Sequence, residues 1–163
     1  MTTLKSRAFE DFFVGERIAF KPYAVTAEEI VAFACQYDPQ PFHVDADAAR
    51  ESIFGGLVAS GWMTSAIFMR MQCESFILQS TCLGSPGVDE IRWLVPLRPG
   101  DELGGEAVVT AVKPSRSKPD RGVVYFDGRL WNQQRETIMI LKSLALFGRR
   151  QLPASPRALS SSA

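Results

Sequence analysis

A long apolar helix is the sequence feature that most limits how this chain can fold. Between Ala59 and Ile77, apolar side chains cover nearly the whole circumference of a predicted helix, and Arg70 is its only charged residue before Glu74. A helix that is apolar all round is buried, either in a large core or at an oligomer interface. The stretch is too short and too interrupted to cross a membrane. The rest of the chain must therefore provide a surface that covers this helix.

Strand patterns on both sides of the helix can provide that surface. Four stretches rich in apolar residues follow it, separated by turn signals, at 88–97, 103–112, 123–131 and 137–147. A further strand, interrupted by a proline, precedes it at 17–25. Helices on one face of an antiparallel sheet define the α+β class, and a sheet of this length curls around the buried central helix.

Composition narrows the class of protein further. The 163 residues are enough for one domain with a real core, which we predict over 1–150, and the Ser- and Pro-rich tail at 151–163 is predicted to be disordered. Basic and acidic residues number 18 each, so bulk charge favours neither nucleic acid nor a membrane surface. Three cysteines without CxxC spacing, and no apolar signal at the N-terminus, predict a cytoplasmic protein with reduced thiols. A single histidine leaves no zinc cluster to build.

That histidine lies close to a carboxylate. A capping box at 26–29 begins a helix that ends near Asp38, and His43 follows five positions later. Two prolines stiffen the link, since each fixes its own φ and pushes the preceding residue towards extended geometry. An Asp and a His that face one cleft suit general acid–base chemistry near neutral pH. The alternative is a helix cap beside a surface or packed imidazole.

Three motifs, in this order, resemble the MaoC-like dehydratase family. Asp38-Pro-Gln-Pro-Phe-His43 is followed by Phe54-Gly-Gly-Leu-Val-Ala-Ser-Gly61 and then by Leu97-Arg-Pro-Gly-Asp101. The family includes the (R)-specific enoyl-CoA hydratases and has the hot-dog fold, and the resemblance covers residues 8–148. It implies a hydro-lyase of fatty acid metabolism that acts on an enoyl or 3-hydroxyacyl thioester, with acyl-CoA as the expected substrate and no cofactor.

The resemblance also implies roles for individual residues. Asp38 and His43 match the family's catalytic pair, which holds and activates the water that adds to the enoyl thioester; how the two divide the proton transfers stays open. Gly61 matches the backbone N–H that polarises the thioester carbonyl. A fixed donor at a helix N-terminus stabilises the enolate-like charge that develops on that oxygen.

The sequence departs from the family around this glycine. The hydratases usually have His before it and Met after it, whereas this chain has Ser60 and Trp62. The family's serine further along the helix falls at Ala66, with Ser65 beside it. We therefore assign Ser60, Trp62 and Ser65 to substrate binding. Trp62 either narrows the acyl pocket or is an ordinary core aromatic.

A basic loop provides a further candidate for substrate binding. Arg116, Lys118 and Arg121 lie between two predicted strands and could meet the phosphates of CoA. The alternative is a solvated hairpin loop, because loops attract charge in any case.

Two other functions remain open. A hot-dog thioesterase would use the same fold and carbonyl site, but such enzymes generally place their acid on the buried helix, where this chain has no carboxylate until Glu74. A non-catalytic module that binds acyl thioesters is the second alternative. Whichever function holds, one chain with this fold leaves an edge strand and an apolar rim exposed. We therefore expect a homodimer or a larger oligomer built from dimers.

Overall fold

The computed structural model describes residues 6–150, and the predicted disorder of 151–163 lies outside them. The first element of the described residues is a 3-10 turn, Phe9–Asp11, and a second one, Ile77–Gln79, follows their longest helix. The helices within residues 6–150 are α1 (Ala27–Tyr37), α2 (Pro41–Val44), α3 (Ala46–Glu51) and α4 (Gly61–Ser75). The strands in the same part of the chain are β1 (Arg17–Ala19), β2 (Tyr23–Ala24), β3 (Cys82–Gly84), β4 (Val88–Trp93), β5 (Glu102–Pro114), β6 (Arg121–Trp131) and β7 (Thr137–Gly148).

The strands form one antiparallel sheet around the long hairpins of β5, β6 and β7. The order is β1-β5-β6-β7-β3, with β2 also paired to β5 and β4 also paired to β7. Because β6 occupies one edge of β7, β3 and β4 lie along its other edge. This topology, with α4 packed on one face of the sheet, is the expected hot-dog arrangement.

Helix α4 buries one face against the sheet. Its fully buried side chains include Phe68, whose ring packs against Phe20 and directly over Gly128 of β6. The opposite face of the helix is exposed in this chain: Trp62 is 61% exposed and Met69 is 47% exposed. An apolar helix can be buried in a core or at an oligomer interface. The sheet of this chain buries one face of α4, and the other face stays uncovered.

The structure corrects several predicted boundaries. The predicted strand at 17–25 is divided into β1 and β2 around Pro22, and the one at 88–97 ends at Trp93. The helix predicted from Ala59 begins two residues later, at Gly61, because Ser60 has extended backbone and caps it. Strand β3 and helix α2 were not predicted, since three- and four-residue elements leave no periodic pattern in a sequence.

The predicted capping box at 26–29 is confirmed. Thr26 accepts the backbone N–H of Glu29, and the Glu29 side chain accepts the N–H of Thr26 in return. Asp45 caps α3 by accepting two backbone N–H groups. Within the described residues, no helix is long and apolar enough to span a membrane.

Candidate active site

Asp38 is placed by the end of α1. It forms the C-cap of the helix, where its backbone N–H donates to the carbonyl of Ala34. Its carboxylate then accepts two side-chain hydrogen bonds: Gln40 donates to Oδ1 at 2.8 Å, and Ser60 donates to Oδ2 at 2.7 Å. Both oxygens are therefore held in place.

His43 is placed by the short helix α2. Pro41 is the first residue of this helix, a position where proline costs no hydrogen bond. The imidazole is buried, with 6% of the residue exposed, and its Nδ1 lies 2.7 Å from the carbonyl oxygen of Val58. Because a carbonyl can only accept, Nδ1 carries a proton, so Nε2 is an acceptor whenever the ring is neutral. Nε2 lies 3.5 Å from Oδ2 of Asp38.

Ser60 joins this pair to the start of α4. Its hydroxyl donates to Asp38 and accepts the backbone N–H of Trp62 at 3.2 Å, so one fully buried side chain caps the helix and fixes the carboxylate. Gly61 is the first residue of α4, and its N–H belongs to the helical turn whose donors have no partner within the helix. No group elsewhere in residues 6–150 accepts a hydrogen bond from the Gly61 N–H.

These groups line one cavity. It has a volume of about 510 Å³, within the usual range for small-molecule sites. Asp38, His43, Ser60 and Gly61 all line it, together with Trp62 and the segment 93–97 that follows β4. The cavity therefore brings an anionic carboxylate, an imidazole acceptor and a helix N-terminus to one space. We call it the active-site cavity.

The environment keeps Asp38 ionised. The hydrogen bond from Ser60 is the largest influence and lowers the pKa of the Asp38 carboxyl, and the bond from Gln40 and the nearby His43 act in the same direction. Partial burial opposes them, but the pKa stays below its ordinary value. Asp38 is thus a carboxylate, able only to accept hydrogen bonds, throughout the neutral range.

The candidate substrate-binding residues fall in different places. Ser60 lines the cavity but its hydroxyl proton is committed to Asp38, so it positions the carboxylate. Trp62 lines the cavity and is exposed in the single chain, so the alternative of an aromatic in the core of this chain is wrong. Ser65 lies one turn along α4, where its hydroxyl donates to the carbonyl of Gly61 at 3.1 Å.

The basic loop lies elsewhere. Arg116, Lys118 and Arg121 lie at or beside the turn joining β5 to β6, and Arg121 is paired with Asp120. Leu94, which lines the active-site cavity, donates its backbone N–H to Ile138 near the start of β7, and the strand register places that end of β7 level with Gly105 of β5. From Gly105 to this turn the distance is on the order of 30 Å along the strand. Among the described residues that line the cavity, none belongs to this loop. Within one chain the loop is therefore not part of the candidate site, and contact with the phosphates of CoA stays a prediction.

Three contributors were not found from the sequence. Gln40 lies between the predicted Asp and His, and that position was the available signal. Val58 acts through its backbone carbonyl, which has no signal in the side-chain pattern. Trp93 comes from β4 and reaches the site only through tertiary packing. In the part of the chain that the structure describes, no cluster of His, Cys, Asp or Glu is arranged to hold a metal ion.

The sequence matches the model of the MaoC-like domain family over residues 11–125, more than half of the chain. The fold and the family model together define the class: this chain belongs to the MaoC-like dehydratase family. It is 28% identical over 116 residues to 3-hydroxyacyl-thioester dehydratase Z of Mycobacterium tuberculosis, covering 69% of this chain and 77% of that protein.

Solved structures agree with this assignment. A MaoC-like dehydratase from Rhodospirillum rubrum superposes with a TM-score of 0.82 at 43% identity, covering 89% of this chain and 99% of that one. The (R)-hydratase PhaJ1 of Pseudomonas aeruginosa gives a TM-score of 0.74 at 19% identity, covering 93% and 94% of the two chains, and is similar in fold. The family is one of hydratases and dehydratases.

Proposed function

We propose that this protein adds water to the double bond of an enoyl thioester, or removes it from a 3-hydroxyacyl thioester, with an acyl-CoA as the substrate. The observation that supports this most strongly is the pair formed by Asp38 Oδ2 and His43 Nε2, 3.5 Å apart at the wall of a cavity of ligand size. Two acceptors at that separation can share one water molecule, which donates a proton to each.

The water is the nucleophile of the proposed reaction. Its oxygen bonds to C3 of the enoyl group while one of its protons passes to the Asp38–His43 pair. The electron pair of the double bond moves through C2 onto the thioester oxygen. Asp38 and His43 then return a proton to C2, so the net change is addition of H and OH across the double bond. General acid–base catalysis of this kind typically contributes about 10²–10⁴ in rate.

The Gly61 N–H is the proposed partner of the thioester oxygen. It is a free donor at the N-terminus of a fifteen-residue helix, where the helix dipole favours negative charge. The oxygen becomes most negative when C3 is attacked, so the donor stabilises the transition state more than the substrate. Removing one such donor typically costs about 10²–10³ in kcat.

The working unit proposed here is a homodimer. Strand β4 pairs with β7 through one edge, and no strand among residues 6–150 pairs with its other edge. Apolar side chains are exposed along this edge and on the adjoining face of α4: Trp62, Met69, Leu83, Val88, Trp93 and Leu94. We call these six residues the apolar rim. An open edge flanked by such a patch is a typical protein interface, and a second copy can cover both.

A spectrophotometric assay with crotonyl-CoA tests the proposed activity. The absorbance of the enoyl thioester is followed while free thiol is measured in the same cuvette. We expect the absorbance to fall without release of thiol. Release of thiol at the same rate would instead identify a thioesterase, and no change in either signal would favour the non-catalytic binding module.

A further inference from the structure

A second cavity lies between α4 and the part of the sheet formed by β4, β6 and β7, and the contact between Ser65 and Trp93 connects its wall to that of the active-site cavity. Its volume is about 240 Å³, and its walls are mainly apolar, with Phe68 and Met69 of α4 facing Ile91, Phe126 and Leu141 of the sheet. We call it the rear chamber. A space of this size is smaller than the usual small-molecule site, so it suits one apolar part of a larger ligand.

The side chains of Trp93 and Ser65 meet between the two cavities. Trp93 lines the active-site cavity and Ser65 lines the rear chamber, and the indole Nε1 donates to the Ser65 hydroxyl at 3.2 Å. The other side of the indole lies against the backbone of Gly61, so closely that a Cβ added there would be 2.5 Å from the ring. The indole is therefore held across the boundary by a hydrogen bond and by packing.

The position of the indole has a consequence for an acyl chain. A thioester whose carbonyl lies at Gly61 has its chain beside the Trp93 ring, which packs against the same glycine. A short chain fits within the active-site cavity. A longer chain reaches the rear chamber only if the indole leaves Ser65, and otherwise its outer methylenes stay in water. Each methylene that is buried strengthens binding by about four-fold. While the indole blocks the rear chamber, a long chain therefore loses most of the affinity that burial of its outer methylenes would add.

We propose that Trp93 determines the acyl chain length, closing the rear chamber so that the protein prefers short acyl thioesters. This inference depends on the proposed function, because it takes the ligand to be an acyl thioester. In the single chain Trp93 is 44% exposed and sits at the end of an edge strand, so removing its ring does not open a cavity in the core of the chain. Because Trp93 also belongs to the apolar rim, light scattering must show that each variant keeps the oligomeric state of the wild type. Trp93→Ala opens the chamber and extends the preference to longer chains.

Trp62 provides a matched control. Its ring packs edge-on against that of Trp93 at 5.3 Å between centroids, and it lines the active-site cavity. Neither tryptophan lines the rear chamber, but it is Trp93 whose side chain donates a hydrogen bond to Ser65 of the chamber wall. Trp62→Ala removes the same volume from the same aromatic pair, and we expect it to change the binding of short and long acyl chains alike.

The experiment measures the binding of butanoyl-CoA and octanoyl-CoA by calorimetry to the wild type, Trp93→Ala, Trp93→Phe and Trp62→Ala. In the wild type, octanoyl-CoA is expected to bind no more tightly than butanoyl-CoA. In Trp93→Ala, the affinity ratio should shift towards octanoyl-CoA by at least about ten-fold, as expected when several methylenes become buried. Trp93→Phe keeps a ring in the passage and should resemble the wild type. Trp93→Leu replaces the alanine variant if circular dichroism shows that the latter does not fold.

Turnover of crotonyl-CoA and trans-2-octenoyl-CoA by the same variants separates the two proposals. A shift in the binding ratio without any hydration supports the role of Trp93 and contradicts the proposed function. Hydration with an unchanged ratio in Trp93→Ala overturns the role of Trp93 and leaves the proposed function intact. Failure of every variant to bind either thioester overturns both.

Discussion

Asp38 connects more parts of the candidate site than any other residue. It ends α1, accepts hydrogen bonds from Gln40 and Ser60, and lies beside the acceptor nitrogen of His43. The hydroxyl that caps α4 thus also holds the carboxylate. This arrangement couples the geometry of the water site to the start of the helix that provides the carbonyl donor.

At the scale of single residues, we predict that Asp38→Asn and His43→Ala each reduce kcat/KM for crotonyl-CoA by at least about 10². Each substitution removes one of the two acceptors that hold and deprotonate the water. Asp38→Asn keeps the size of the side chain and should fold normally, as checked by circular dichroism. A folded variant with wild-type turnover would remove that residue from the mechanism.

The effect of Ser60 on Asp38 can be measured directly. We predict that Ser60→Ala raises the pKa of the Asp38 carboxyl, because the hydrogen bond that lowers it most is lost. The measurement is an NMR titration of the labelled carboxyl group. Ser65→Ala, which removes a hydroxyl from the same helix without touching Asp38, is the control. An unchanged pKa in Ser60→Ala would contradict the assigned contact.

The same pKa has a consequence for stability at acid pH. The pKa of Asp38 is lower in the folded chain than its unfolded value of about 3.9, so the ionised group stabilises the fold above that pH. The contribution is lost as the pH falls through the folded pKa. Urea unfolding should therefore show that Ser60→Ala loses less stability than the wild type on acidification below about pH 4.

The sequence was a good guide to the site where chemistry and local spacing coincide. The proximity of Asp38 and His43 could be predicted because the residues between them leave little conformational freedom. Gln40 was missed because an amide has many possible roles, and the carbonyl of Val58 because every residue has one. The contact between Trp93 and Ser65 joins residues 28 positions apart, so it depends on how the sheet packs on α4.

At the scale of elements, the packing of α4 on the sheet holds the site in place. Phe68 of α4 lies directly over Gly128 of β6, where its ring leaves no room for a Cβ. The ring is buried and also contacts Phe20, so it cannot move away without disturbing the core. Close approach of helix and sheet at this point depends on the absence of a Cβ.

We predict that Gly128→Ala lowers the free energy of unfolding by about 1–3 kcal/mol, the usual cost of overpacking a core. Gly56→Ala is the control, because a Cβ at Gly56 meets nothing closer than a guanidinium nitrogen of Arg98 at 3.5 Å. The control should stay within about 0.5 kcal/mol of the wild type in urea unfolding. Equal effects of the two substitutions would contradict the proposed close packing.

The order and type of the long elements could be predicted because each has a clear period. The capped helix α1 and strands β5, β6 and β7 differ from their predicted ranges by at most two residues at either end. The extent of α4 burial could not be predicted, because its apolar pattern is the same for a helix buried in one chain and a helix shared between two. The basic loop was a candidate for substrate binding on its charge alone, and charge does not specify where a loop lies relative to the site.

At the scale of the whole molecule, the apolar rim is left exposed in the described chain. We predict that the protein is a dimer by light scattering at micromolar concentration. Met69→Glu places a charge in the rim and should produce a folded monomer, because an unpaired charge is costly to bury in an interface. Val14→Glu, at an exposed apolar position in the loop before β1, should remain a dimer. A monomeric wild type would contradict this prediction.

The most direct test of the central claim is mass spectrometry of crotonyl-CoA after incubation with the protein in water enriched in ¹⁸O. The proposed chemistry predicts an intact CoA thioester that carries one heavy oxygen on its acyl group, as a 3-hydroxyl. Asp38→Asn, prepared in the same way, should give little of this product. Heavy oxygen in the carboxylate of released crotonate, or unlabelled crotonyl-CoA alone, would contradict the account.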